Sequence, residues 1–292
     1  SRTERCNSDR SASFLMSLPQ KIPPRLYGLR CPSALVALIT LDPNVEAASV
    51  DPGKRLRQKR RDTWGAGVIE FQNVAMGYGG RWLFRDVTLS LAPGSFHFLT
   101  GPSGAGKTTL IRLCSLELQP SQGTIRLLDQ ETSRLGRNGI AAMRQRIGIV
   151  HQDSRFIDHL TLAENVLLPA TVSDSDTLET RRHLDQLMAW VGLEDLAKSR
   201  PPELSGGERQ RAALARAVIL SPDIVLADEP TGNVDWEMSL KILSLLVELN
   251  RLGKTILFAT HDMNLIRQAK SQVQARVLRI RGGEVALAGA EL

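Results

Sequence analysis

"GPSGAGKTT" occupies residues 101–109, directly after the apolar run "FHFLT" (96–100) and directly before Leu110, Ile111 and Leu113. The spacing is G-x-x-x-x-G-K-[ST], and the flanks predict the strand and helix that give that spacing its meaning. In such a loop the backbone of Gly101, Pro102, Ser103, Gly104, Ala105 and Gly106 can wrap a phosphate chain. The glycines permit close approach, and Thr109 continues into the helix. Lys107 then reaches the outer phosphates of a nucleotide, and the Thr108 hydroxyl is a ligand for Mg²⁺. A glycine turn with an incidental lysine would need neither the spacing nor both flanking elements. The predicted elements are a strand at Phe96–Thr100 and a helix at Thr108–Leu116.

Outward from this loop the chain alternates. "VIEFQNVAM" (68–76) and "LFRDVTLSL" (83–91) read as strands before the turn at Pro93-Gly94. "RIGIVHQ" (146–152), "DIVLADEP" (223–230) and "KTILFATHD" (254–262) contain short apolar runs of the buried-strand type. Between 152 and 204 the texture is helical, with Leu184, Leu187, Met188 and Val191 at i, i+3, i+4 and i+7. Strands and helices alternating around a helical insert predict an α/β domain. Its core would be a mainly parallel sheet flanked by helices, over residues 66–292, with a helical subdomain at about 153–215. No internal repeat is present, so the chain holds one such unit.

Composition narrows the function classes. The net charge of +6 comes wholly from residues 1–65, because residues 66–292 carry 25 basic and 25 acidic side chains. The basic pI is therefore no argument for a nucleic-acid partner, and none is expected. Six prolines and the run "KRLRQKRR" (54–61) mark residues 1–65 as a basic leader without regular structure. Cys6, Cys31 and Cys114 lie far apart with no CxxC pair, which argues against a disulfide framework or a zinc site. The longest apolar run, Ala34–Leu41, is too short to span a bilayer, so any membrane-crossing work needs another chain.

Further motifs add chemistry. In "IVLADEP" an apolar strand ends at Asp228, placed to hold Mg²⁺, and Glu229 follows where a carboxylate can align a water attacking a γ-phosphate. Four apolar residues in front argue against a merely solvated pair of acids, since a buried parallel strand ends at the ligand crevice. Gln152 in "VHQDSRF" is expected to end one apolar strand, and His261 in "FATHD" to close another. Gln152 is a candidate for Mg²⁺ or the attacking water, and His261 for the γ-phosphate. Each taken alone equally describes polar surface. Tyr78 in "MGYGG" either stacks on a base or covers a turn. "LSGGERQ" (204–210) reads by itself as a helix cap with spare glycines, or as a second anion site.

Taken in order, Gly101–Thr108, Gln152, LSGGERQ, Asp228–Glu229, "GNVD" (232–235) and His261 resemble an ATP-binding cassette (ABC) ATPase from about residue 67 onward. The resemblance implies the P-loop ABC ATPase fold, in which an antiparallel β subdomain and a helical subdomain carrying LSGGERQ, the signature motif, join the mainly parallel core sheet, and it implies ATP and Mg²⁺ as cofactors. It also implies a head-to-tail pairing with a second copy of the chain. Ser205, Gly206 and Gly207 would then cover the nucleotide held by the partner's phosphate loop, with Asp235 at the seam. "ADEPTGNVD", "FLTGPSGAGKTTLIRL" and "HLTLAENVLLPA" look most like the FtsE group of cell-division ATPases. That likeness implies an FtsX-like membrane subunit, and a peripheral place on the cytoplasmic face of the inner membrane. The lipoprotein-release and MacB-like efflux ATPases are the neighbouring alternative. A soluble cassette acting on nucleic acid or ribosomes fits less well, lacking the second cassette or long coiled coil that such proteins carry.

Overall fold

The computed structural model describes residues 67–232 and 234–288, and the expected leader at 1–65 lies outside the described residues. Five strands form the core of one sheet: β3 (Phe96–Thr100), β6 (Ile147–Val150), β7 (Ile224–Asp228), β8 (Thr255–Ala259) and β9 (Ala275–Arg281). Their order is β9-β3-β8-β7-β6, all parallel, and β10 (Glu284–Leu287) closes one edge antiparallel to β9. A second sheet is antiparallel, with β1 (Ile69–Tyr78), β2 (Arg81–Leu91), β4 (Gln122–Leu127) and β5 (Gln130–Glu131) in the order β2-β1-β4-β5. This is the expected α/β architecture, the antiparallel β subdomain included.

The central strands β3, β7 and β8 are buried at every position because both faces of the sheet are covered. Successive side chains point to opposite faces, so Val225, Ala227, Phe96, Phe98, Ile256 and Phe258 enter one core. Ile224, Leu226, Leu99, Leu257 and Ala259 enter the other. The first core receives the helices α3 (Leu162–Val172), α4 (Leu178–Trp190), α5 (Gly206–Val218), α6 (Trp236–Arg251) and α7 (Met263–Lys270). The second is closed by the antiparallel sheet and α1 (Lys107–Cys114), with Met143 of α2 (Arg137–Gln145). The rings of Phe96, Phe98 and Phe258 stack in a tilted row, with centroids 5.1 and 5.3 Å apart. Each such side chain contributes roughly 1.5–3 kcal/mol by burial.

Local signals explain several boundaries. The phosphate-loop helix stops at Cys114, earlier than the predicted Leu116. Leu116 takes φ 61°, and the Glu117 and Leu118 N–H groups fold back to the Arg112 carbonyl. Two of the helices in the 153–215 stretch begin with a Thr or Ser and a Glu three residues on, at Thr161–Glu164 and Ser205–Glu208. Each pair makes a capping box that satisfies the otherwise orphaned first-turn N–H groups. Gly148 sets how closely α5 approaches β6: a Cβ there would lie 2.2 Å from the Ala217 carbonyl oxygen.

One core residue is out of character. His97 on β3 is buried, and its Nδ1 has no hydrogen-bond partner among the described residues. Burial, and then Arg276 beside it on β9, lower its pKa to about 4. The folded protein thus keeps His97 neutral while the unfolded chain takes a proton below about 6.5. The unfolded state binds more protons in this window, so acid must favour unfolding there. Between pH 6.5 and 4 this group should remove up to about 1.4 kcal/mol of stability per pH unit. Urea unfolding of His97→Gln at pH 7 and pH 5 should show a shallower loss than the parent chain.

Candidate functional site

The parallel register brings the site together. Leu99 and Asp228 are both Cα partners of Ala259, so β3, β7 and β8 end side by side and their outgoing loops share one rim. From β3 emerges the loop 101–106, with Gly104 at φ 74° and Gly106 at φ 105°. Only glycine takes such angles without strain, and a Cβ on Gly106 would also meet Leu83 at 2.8 Å. Pro102, Ser103, Gly104 and Thr108 are exposed, with Gly101, Ala105 and Thr109 half-buried. Leu83 belongs to β2, so the β1–β2 hairpin abuts the loop. Tyr78 is half exposed at the end of β1, before the Gly79–Gly80 turn.

Lys107 opens α1 and folds back over the loop. Its Nζ donates to the Gly101 carbonyl at 3.0 Å and the Pro102 carbonyl at 3.4 Å, and it stands 3.3 Å from Glu229 Oε1. Glu229 Oε2 in turn lies 3.2 Å from His261 Nδ1. The buried ammonium thus rests among two carbonyl oxygens and a carboxylate oxygen. Glu229 holds φ 46°, a left-handed angle that costs a non-glycine residue roughly 1–3 kcal/mol. Its N–H donates to the Ala259 carbonyl, and its own carbonyl accepts from Gly232. These bonds turn the carboxylate off the strand axis and over Lys107.

Asp228 is buried at the end of β7. Burial raises its pKa, opposed by a hydrogen bond from the Thr108 hydroxyl. Oδ1 is buried with no partner among the described residues. An orphaned carboxylate oxygen beside a threonine hydroxyl is the donor set a small hard cation requires. Gln152 is exposed and sits two residues past the end of β6, and His261 lies two residues past β8. Both apolar runs stop short of the polar residue, because the strands end at Val150 and Ala259. Neither residue closes its strand as the apolar runs predict.

The second glycine motif lies at the start of α5. Ser205 is the N-cap of α5, with its hydroxyl donating to Glu208 Oε2 at 2.8 Å and accepting from the Glu208 N–H. Gly206 and Gly207 form the first helical turn, and a Cβ on Gly206 would meet nothing within 4 Å. A Cβ on Gly207 would meet Val234 at 3.8 Å. Asp235 caps α6 by accepting from the Met238 N–H at 2.8 Å. The Ser205–Gly207 turn and Val234 are therefore neighbours, and the helix N-terminus at Ser205 and Gly206 is exposed. Glu208 went unremarked in the motif reading, although S-x-x-E spacing before an apolar helix announces its capping role.

A glycine loop, a lysine and an orphaned strand-end carboxylate define a P-loop nucleoside triphosphatase site. Residues 84–232 match the ABC transporter family. The chain is 41% identical over 220 residues to the cell division ATP-binding protein FtsE of Escherichia coli (strain K12), covering 75% of this chain and 97% of that protein. It is 34% identical over 209 residues to the FtsE of Bacillus subtilis (strain 168), covering 71% and 92%. The dimeric post-hydrolysis structure of the ATP-binding cassette MJ0796, bound to ADP and Pi, superposes with a TM-score of 0.68. It is 32% identical, over 74% of this chain and 96% of that one. The chain belongs to the ABC transporter family and is an ABC-type ATPase.

A buried carboxylate with an unpartnered oxygen, as in Asp228, is costly unless something pairs with it. Asp228→Asn should leave the nucleotide-free melting temperature unchanged or raised, while Mg²⁺-dependent ATP hydrolysis is lost. Thermal unfolding and phosphate release measured on the same preparation check both halves.

Proposed function

We propose that this ATPase works as a head-to-tail pair that closes on ATP and Mg²⁺, and that it serves as the FtsE-like motor of a membrane complex in cell division. The observation that carries the pairing is that the start of α5 is exposed while the phosphate-loop lysine is buried. Lys107 and Glu229 face each other on the strand rim, whereas Ser205–Gly207 open outward beside Val234. An exposed helix start bearing a serine and two glycines suits the terminal phosphate of a nucleotide held by another molecule. The dimeric solved cassettes at 32% identity support the same arrangement.

In this reading the loop 101–106 and Lys107 bind the phosphate chain, and Tyr78 borders the base. Thr108, Asp228 and Gln152 would hold Mg²⁺, which supplies charge neutralisation at the β- and γ-phosphates. Glu229, released from Lys107 as phosphate oxygens replace it, orients the attacking water and accepts its proton. His261, now beside Glu229, is placed to bind the γ-phosphate. Ser205 and the α5 N-terminus of the partner copy offset the charge that develops in transfer. Asp235 sits at the seam, where its cap of α6 links the two half-sites.

Among the described residues no helix is long and apolar enough to cross a membrane. Peripheral attachment at the cytoplasmic face through an FtsX-like subunit accounts for membrane work by such a chain. The FtsE proteins of several bacteria, at 34–41% identity, favour this partner over a lipoprotein-release or efflux permease. The docking face would include Phe156, Ile157 and Leu160, of which Ile157 is exposed and Phe156 and Leu160 are half-buried.

Glu229→Gln should bind ATP and Mg²⁺ and accumulate as a stable dimer in light scattering, with hydrolysis reduced at least about a hundredfold. A variant that binds ATP yet stays monomeric would overturn the paired site. Capture of the intact chain from solubilised membranes should bring down an FtsX-like spanning subunit. Recovery of an efflux or lipoprotein-release permease instead would reassign the partner.

A further inference from the structure

The segment that follows Gln152 is fastened to the signature helix by one side chain. Arg216, near the end of α5, donates from Nη1 to the Arg155 carbonyl at 2.7 Å. Its guanidinium carbon also stands 4.5 Å from the centre of the Phe156 ring. The guanidinium is desolvated enough that its pKa is lowered. Both contacts gain strength from that loss of water.

The remainder of the loop is fastened as firmly. Asn165 of α3 is fully buried and accepts from the Ile157 N–H at 2.8 Å. Its amide donates to the carbonyls of Ile157, Leu160 and Thr161 at 3.0, 3.2 and 3.0 Å. From Arg155 to Thr161 the loop is thus built onto α3 and α5. Between it and β6 lie only His151 to Ser154, where the Ser154 hydroxyl bonds the His151 carbonyl. Gln152 sits inside this short joint. Arg216 and Ser205 lie on one helix, about 16 Å apart at the helical rise.

We infer that Arg216 is a positioning residue that makes the segment after Gln152 and the signature helix move as one body, so that a shift of Gln152 on nucleotide binding is delivered to Ser205. The inference rests on the paired reading above. Arg216 touches none of the phosphate-loop residues, so weakening it should spare nucleotide binding and blunt only the closing of the pair. The two contacts form a single tie, because they join the same two adjacent residues to the same guanidinium.

The test uses the full chain in the Glu229→Gln background. Arg216→Lys keeps the charge but loses the planar fork that serves both contacts. Phe156→Leu removes only the ring. A fluorescent ATP analogue at low protein concentration should bind both variants as it binds the parent. The ATP concentration giving half-maximal dimer should rise about tenfold for Arg216→Lys and less for Phe156→Leu. The double variant should be no worse than Arg216→Lys, since both changes cut one tie. An unchanged dimer midpoint in Arg216→Lys overturns the tie while leaving the pairing intact. Equal losses of analogue binding and dimer formation overturn it in favour of a general packing role, and additive effects overturn the single tie. A parent that never dimerises overturns the pairing and this inference together.

Discussion

The structure depends on three parallel strands ending in step. Leu99 and Asp228 flank Ala259 across the sheet, so the glycine loop, the Asp228–Glu229 pair and His261 leave the sheet at one rim. Each group comes from a segment more than a hundred residues or a full βα unit from the next. Only the sheet's hydrogen-bond register brings them within reach. A slip of one residue would send every side chain of the strand to the opposite face. Such a slip would also carry Asp228 away from Thr108.

That register is protected by the two cores on either side of it. Every position of β3, β7 and β8 is buried, and alternate residues serve different cores, so no slipped pairing preserves both. The rim itself is the opposite kind of environment. Asp228 holds an unpartnered oxygen, and Glu229 sits at a left-handed angle. Lys107 is buried against two carbonyls and a carboxylate. These unfavourable local arrangements are tolerated because the packed strands beneath over-determine them.

Much of this was legible from residue order, and the misses have physical causes. The strand before the glycine loop is found at Phe96–Thr100 as its apolar run predicts. The helix after the loop ends early because Leu116 adopts a turn conformation that helical periodicity cannot signal. Gln152 and His261 lie beyond their strands for a similar reason. Apolar character marks where a strand is buried, but hydrogen-bond pairing decides where it stops. Spacing gives no sign of the Lys107–Glu229–His261 chain of contacts, which joins residues 122 and 32 positions apart. The Arg216 clamp on Arg155 and Phe156 is equally silent, since it crosses 61 positions.

By itself the sequence determined the chemistry available to this protein. It places glycines where a phosphate needs backbone and a lysine where it needs charge. It puts carboxylates at the end of a buried strand, and a second serine–glycine turn at the start of another helix. Those assignments are local, and spacing along the chain carries local information well. The tertiary structure alone decided which of these groups meet. It set Glu229 on Lys107, left Asp228 with a free oxygen beside Thr108, and turned Ser205 outward with Glu208 as its cap. Such outcomes follow from strand register and helix packing, which sum weak contacts over the whole chain and are written at no single position.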